Sequence, residues 1–302
     1  MGLPGSQGEA GMKILLTGAS GFIGTHCATY LRNQGHQVTA TDLRPTGSAQ
    51  PLDITDAEAV ATLFHRSRPE VVVHLAALAS VPACESSPAE CWNINIQGTV
   101  HVARVAKEVG ARVVFLSTAA VYGIPSLLPT PISAGIAPIN LYAISKAAGE
   151  GALRGYAPDH VTLRLFNIYG EGCSRSYVIP DLIRKLRASR GEVLLQGTGD
   201  ESRDFLYISD LLDLLSRAIR APAGSVFNAG SGTTISVREL AHKVSELAGL
   251  GNTVFRFSGP RAGDFPINFA NISPGNVPAG WRPTVPLEEG IRRMLREENG
   301  AP

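Results

Sequence analysis

Apolar positions along this chain fall into two alternating kinds of run. Short, nearly continuous apolar stretches predict buried strands: "MKILLT" (12–17), "QVTATD" (37–42), "EVVVHLAA" (70–77), "RVVFLST" (112–118) and "VTLRLFN" (161–167). Between them lie stretches whose apolar residues recur every three or four positions, which predicts helices. These are "FIGTHCATYLRNQG" (22–35), "DAEAVATLFHRS" (56–67, with Asp56 near its N-cap), "CWNINIQGTVHVARVAKEVG" (91–110) and "LYAISKAAGEGALRGY" (141–156). Strand and helix in strict alternation predict an α/β fold, a doubly wound parallel sheet of Rossmann type with right-handed crossovers.

After Asn167 the alternation loosens. Helices are expected over 177–191, in the second part of 203–219, over 236–249 and from Leu287 towards Glu298, with short strands at 192–197 and at the start of 203–219. The stretch 255–286 is rich in Gly, Pro and Asn. The expected division is a leader over 1–11, a main domain over 12–167 to which the chain returns near 204–230, and a smaller C-terminal lobe from 168–203 and 231–302. The leader is small and polar and reads as disordered, with Met12 a possible native start.

The first strand runs into "TGASGFIG". Strand, glycine turn and helix form the arrangement that binds a dinucleotide. Gly18 permits a tight turn, Gly21 lets a pyrophosphate approach the backbone, and Gly24 lets the helix pack against the sheet. The free N–H groups at the helix start favour phosphate. Asp42 ends the second strand about twenty residues later, where a carboxylate accepts from both ribose hydroxyls and repels a 2′-phosphate. That predicts NAD rather than NADP, a preference that Arg44 could soften. Leu43 beside Asp42 joins the expected cofactor contacts. Asp53 and Ile54 fall where a loop could flank the adenine, and read equally well as helix-entry residues.

A second signal is "YAISK". Tyr142 and Lys146 share one face of a helix at i and i+4. A phenol near ~10 is a poor base at neutral pH, and a neighbouring ammonium is expected to lower it. Lys146 can also reach the nicotinamide ribose. Thr118 ends the strand before this helix, at the sheet edge where ligands of such folds bind. Strand alternation lets one of Ser117 and Thr118 face the site. Thr118 is the expected catalytic hydroxyl, and Ser117 is kept among the expected cofactor contacts.

In their order, "TGASGFIG", "HLAALAS", "NIQGT", "STAAVYG", "YAISK", "RLFNIYG", "RDFLYISD" and "NAGSG" resemble an extended short-chain dehydrogenase/reductase of the nucleotide-sugar epimerase/dehydratase family. The resemblance implies that Gly18, Gly21, Phe22, Ile23 and Gly24 hold the pyrophosphate of NAD. It implies that Leu75, Ala76 and Ala77 line the cofactor channel, with Asn93 near the cofactor from the following helix. Thr118, Tyr142 and Lys146 become the catalytic triad. Asn167, Arg203 and Arg261 with Asp264 take the phosphates of a UDP- or dTDP-hexose, and Val178 faces its base. A homodimer through the helices of 93–109 and 141–156 is implied as well.

The implied chemistry begins with oxidation at sugar C4. The family's 4,6-dehydratases carry Asp-Glu directly after the catalytic Thr, whereas this chain has Ala119 and Ala120. Alanine can neither protonate a leaving hydroxyl nor take a proton at C5, so 4-epimerisation is the expected outcome. Cys84, on a loop that faces the sugar in relatives, leaves an unusual elimination open if its thiol is activated. A non-catalytic dinucleotide sensor is disfavoured by the Tyr142–Lys146 pair.

Composition narrows the picture further. The 302 residues are 44% hydrophobic and carry a net charge of +1, enough for a core and without the basic stripe that nucleic acid requires. No apolar run reaches the length of a membrane span. Cys27, Cys84, Cys91 and Cys173 show no paired or metal-ligand spacing, so no metal is expected and a reducing, cytoplasmic setting is.

Overall fold

The computed structural model describes residues 11–174, 177–189, 191–259 and 266–298. The expected leader lies almost wholly outside them. Seven parallel strands form the main sheet: β1 (Lys13–Thr17), β2 (Gln37–Asp42), β3 (Gln50–Pro51), β4 (Val71–His74), β5 (Arg112–Thr118), β6 (His160–Leu165) and a later strand, Val226–Ala229. Their order is Val226–Ala229, β6, β5, β4, β1, β2, β3. The order reverses between β1 and β4, and a crevice opens at the carboxyl ends of strands at such a point. The continuous apolar runs have the expected cause, since all four residues of β4 are buried from both faces.

Helices cover both faces. One face carries α1 (Phe22–Asn33), and the other carries α2 (Ala57–Ser67), which Asp56 caps through the N–H groups of Glu58 and Ala59. The run predicted as one helix over 91–110 is three pieces in line. The short α3 (Val81–Ser86) and α4 (Pro88–Trp92) lead into a π-helical turn, Asn93–Gly98, and then α5 (Thr99–Val109). A 3₁₀ turn at Ala119–Tyr122 precedes α6 (Leu141–Tyr156), whose first turn is capped by Asn140.

Further along the chain come α7 (Val178–Ala188), α8 (Ile208–Ala218), which packs on α1 in the main core, α9 (Val237–Leu247) and α10 (Leu287–Glu298). β7 (Asn167–Tyr169) pairs in parallel with the later strand Phe205–Tyr207. β8 (Glu192–Leu195) pairs with Val254–Phe257, while β9 (Ser202–Arg203) lies between Ile235–Ser236 and Ile267–Asn268. The short strands expected at 192–197 and at the start of 203–219 are present as β8 and Phe205–Tyr207, whereas β9 and its two neighbours, two residues each, leave no periodicity to read. Among the described residues no helix is long and apolar enough to cross a membrane.

Candidate active site

The glycine turn has the shape a dinucleotide needs. Gly18 sits at φ +72°, and a Cβ there would come within 2.6 Å of the Ala76 nitrogen. At Gly24 a Cβ would approach the Gly18 carbonyl oxygen to 2.1 Å, so α1 rests directly on the turn. Gly21 differs, because its nearest neighbour would be the Gly18 oxygen at 3.4 Å and its outer side is open. No side chain caps α1, so the first-turn N–H groups of Phe22, Ile23 and Gly24 are left to an anion. Asp42 closes the edge of the cradle and accepts from Ser20 N at 3.0 Å and Arg44 N at 2.9 Å. Each carboxylate oxygen keeps a lone pair for a ribose hydroxyl. An open backbone cradle with an acid at its rim fits a dinucleotide. Leu43 projects outward, 55% exposed.

The opposite wall is formed by half-buried Leu75, Ala76 and Ala77. Behind it runs a buried hydrogen-bonded chain. Thr17 Oγ1 accepts from Ala76 N at 3.3 Å and pairs with His74 Nδ1 at 2.8 Å, while His74 Nε2 pairs with Thr99 Oγ1 at 3.1 Å. Thr99 in turn donates to Asn95 O at 2.7 Å. One tautomer satisfies every member: Thr17 donates to Nδ1, and Nε2–H donates to Thr99. The chain ties the glycine turn to the π-helical turn.

The π-helical turn carries two asparagines that face differently. Asn93 is exposed, and Asn95 is the inward residue. The Asn95 side chain accepts from Leu78 N at 2.7 Å and donates to Leu78 O at 3.1 Å and to Ser145 Oγ at 2.9 Å. The wider π turn changes the facing of residues that an ideal helical period would place. Ile54 is buried against Gly98, and its carbonyl accepts from His101 Nδ1 at 3.0 Å. The exposed Asp53 carboxylate accepts from the N–H of Thr55 at 2.8 Å and its hydroxyl at 2.7 Å.

Thr118, Tyr142 and Lys146 come together at the end of β5. The Thr118 hydroxyl lies close enough to the Tyr142 phenol to favour its ionised form. Burial pushes that phenol above its ordinary range, Tyr177 nearby raises it further, and Thr118 pulls it only partly back. The expected lowering by Lys146 is therefore reversed, because desolvation of the phenolate dominates. Lys146 is itself 3% exposed, with its Nζ 4.1 Å from the centre of the Phe115 ring. Burial lowers its ammonium to about 7, against an upward pull from Glu150. Ser117 faces away from Thr118, as alternation requires, and donates to Glu150 Oε1 at 2.6 Å. Its hydroxyl serves the interior.

Cys84 is fully buried and donates to Leu78 O at 3.4 Å. Burial, with Cys91 alongside, pushes its thiol up to about 12. Asn167 donates to Asp204 O at 2.9 Å. Val178 opens α7 and is exposed. Arg203 donates to Ser202 O at 3.0 Å and lines an open cleft of about 760 Å³ with Thr233, Thr234 and Ile235. Thr118, Tyr142 and Lys146 do not line that cleft. Arg261 and Asp264 lie outside the described residues. Sequence reasoning missed Asn95, Glu150 and Arg164. Glu150 follows Lys146 by one further helical turn, and Arg164 is a charge inside an apolar strand, so both left a readable trace.

The profile of the NAD dependent epimerase/dehydratase family matches residues 14–230. The UDP-glucose 4-epimerase of Mycolicibacterium smegmatis is 32% identical over 94% of this chain and 97% of its own. The crystal structure of UDP-glucose 4-epimerase from Thermotoga maritima with UDP-glucose superposes with a TM-score of 0.89, at 30% identity, covering 96% of this chain and 99% of that one. MoeE5 in complex with UDP-glucuronic acid and NAD is 27% identical, with a TM-score of 0.85 over 95% of this chain and 99% of that one.

Proposed function

The chain belongs to the NAD dependent epimerase/dehydratase family, and from that premise we propose that it is a UDP-hexose 4-epimerase with NAD as its cofactor. The residues that hold the cofactor in this reading are those of the glycine turn, Asp42, the 75–77 wall and Lys146. Bound NAD supplies the acceptor, and then the donor, of the sugar's C4 hydride.

The chain's own residues handle the proton. Tyr142, as phenolate, takes it from the C4 hydroxyl, and Thr118 donates to one of the two oxygens throughout. A buried phenol resists ionisation, so positive charge must draw the phenolate out, and Lys146 one turn on supplies it. The proton then returns from Tyr142 to the oxygen of the inverted centre.

The observation that carries epimerisation over elimination is the pair of residues directly after Thr118. Ala119 and Ala120 provide neither acid nor base, and the Cys84 thiol, which could have stood in for them, is turned to the Leu78 carbonyl. A C2 dimer through α5 and α6 belongs to the same reading, supported by exposed Trp92, Ile144 and Tyr156 on and beside those helices.

The test is product analysis by NMR with UDP-glucose, UDP-GlcNAc, UDP-glucuronate and dTDP-glucose. A C4 epimer supports the proposal. A stable 4-keto, unsaturated or decarboxylated product overturns it. Tyr142→Phe should lower turnover by about 10²–10⁴-fold with NAD binding nearly intact.

A further inference from the structure

Tyr142, Lys146 and Glu150 stand at four-residue steps along one face of α6. The third takes no part in the transfer of proton or hydride. Its carboxylate is nonetheless held from three directions. Arg164, on β6, donates from Nη2 to Oε2 at 2.8 Å and from Nε to Oε1 at 3.0 Å, and Ser117 donates to Oε1 at 2.6 Å. The side chains of Arg164 and Glu150 are 5% and 1% exposed.

An ion pair so deep is expensive to desolvate and weak evidence for stability alone. Here it fixes a negative charge one turn from a buried lysine. The titratable groups whose charge bears on Lys146 are Glu150 on its own helix, clamped by Arg164, the Tyr142 phenol one turn before Lys146, the neutral His74 stacked on Phe115, and the Cys84 thiol. Of these, only Glu150 is a carboxylate. Without it, the ammonium would lie buried against the Phe115 ring with no carboxylate among those groups to oppose its desolvation.

We propose that Glu150 is a positioning residue, clamped by Arg164 and Ser117, that holds Lys146 as an ammonium where Tyr142 needs it. The inference rests on the reading of Tyr142 and Lys146 as the catalytic pair. Burial draws Lys146 towards neutrality, with Glu150 the larger influence acting the other way, so losing the carboxylate removes the main opposing charge.

The decisive measurement does not need turnover. The chain has five lysines, Lys13, Lys107, Lys146, Lys185 and Lys243, so ¹³Cε-lysine NMR across pH resolves them, with Lys146→Arg identifying the signal. In Glu150→Gln the Lys146 midpoint should fall by at least one pH unit. The alkaline limb of the turnover profile should fall with it, while activity at pH 6 changes little. Glu150→Gln leaves Arg164 buried without its partner and could unfold the chain. The double variant Glu150→Gln/Arg164→Met leaves neither charge stranded, and a downward shift, smaller than in the single variant because a nearby cation goes too, is expected there. A Lys146 midpoint unchanged in either folded variant overturns the proposal, as does turnover depressed equally at every pH. If the wild type turns over no nucleotide sugar yet the Lys146 shift is present, the positioning holds and the epimerase reading fails.

Discussion

A Cβ on Gly24 would lie 2.1 Å from the carbonyl oxygen of Gly18, a distance no side chain can occupy. The contact is between backbones, so neither partner can swing aside. Gly24→Ala must push α1 off the turn, at a cost of about 1–3 kcal/mol, and should lower Tm and NAD affinity together. Gly21→Ala makes the opposite case, since its nearest contact would be 3.4 Å away. That variant should melt like the wild type, yet bind NAD at least about tenfold more weakly, because the methyl fills the space a pyrophosphate needs. Calorimetric titration beside thermal melts separates the two. Equal NAD affinity in Gly21→Ala and wild type would remove the cradle from the binding site.

Asp42 should decide which dinucleotide is taken. Its carboxylate is already oriented by the N–H groups of Ser20 and Arg44, so little ordering remains to be done on binding. A hydrogen bond to a charged group contributes about 1.5–3 kcal/mol. Asp42→Asn should therefore weaken NAD by tenfold or more and narrow its advantage over NADP, since the repulsion of a 2′-phosphate disappears as well. Cofactor titrations with both forms give the ratio, and an unchanged ratio would assign the preference elsewhere.

His74 should make the fold sensitive to acid. Its two nitrogens are committed, one accepting from Thr17 and one donating to Thr99, and a second proton would break the first of these bonds. Burial lowers its pKa from 6.5 to about 3, with Lys146 adding to the effect. Between those values the unfolded chain holds one proton more than the folded chain, so stability rises with pH and is lost as pH falls from 6.5 towards 3. The slope from this one group is about 1.4 kcal/mol per pH unit. In urea unfolding at pH 7 and pH 5, His74→Gln should lose about 2 kcal/mol less than the wild type over that interval, whatever its starting stability. An identical loss in both chains would mean that the imidazole titrates normally.

Much of the fold and the site is legible in the sequence, and unevenly so. The alternation that yields β1, β4, β5 and β6 is written in runs apolar on both faces, because both faces are covered by helices. The glycines, Asp42 and the Tyr142–Lys146 spacing are legible for a different reason, namely that each position tolerates very few side chains. Asn95 is not, because a π turn moves it inward and no local sequence rule announces such a turn. The phenol's upward shift is equally hidden. Spacing shows that an ammonium is near, but the depth of burial belongs to the assembled core.

Cys84 carries the sharpest test between the two outcomes of C4 oxidation. Elimination needs a base at C5, and with Ala119 and Ala120 in the usual positions the thiol is the candidate to replace it. The thiolate is the reactive form, and a thiol pushed up to about 12 is ionised at pH 7 in roughly one molecule in 10⁵. Its proton is also directed at the Leu78 carbonyl. Cys84→Ala and Cys84→Ser should therefore keep kcat/KM within about threefold of wild type, less than 1 kcal/mol of transition-state stabilisation. A folded Cys84→Ala variant that binds NAD normally and turns over nothing would restore the thiol as an acid/base group. Elimination would then be the better account of the fate of the 4-keto sugar.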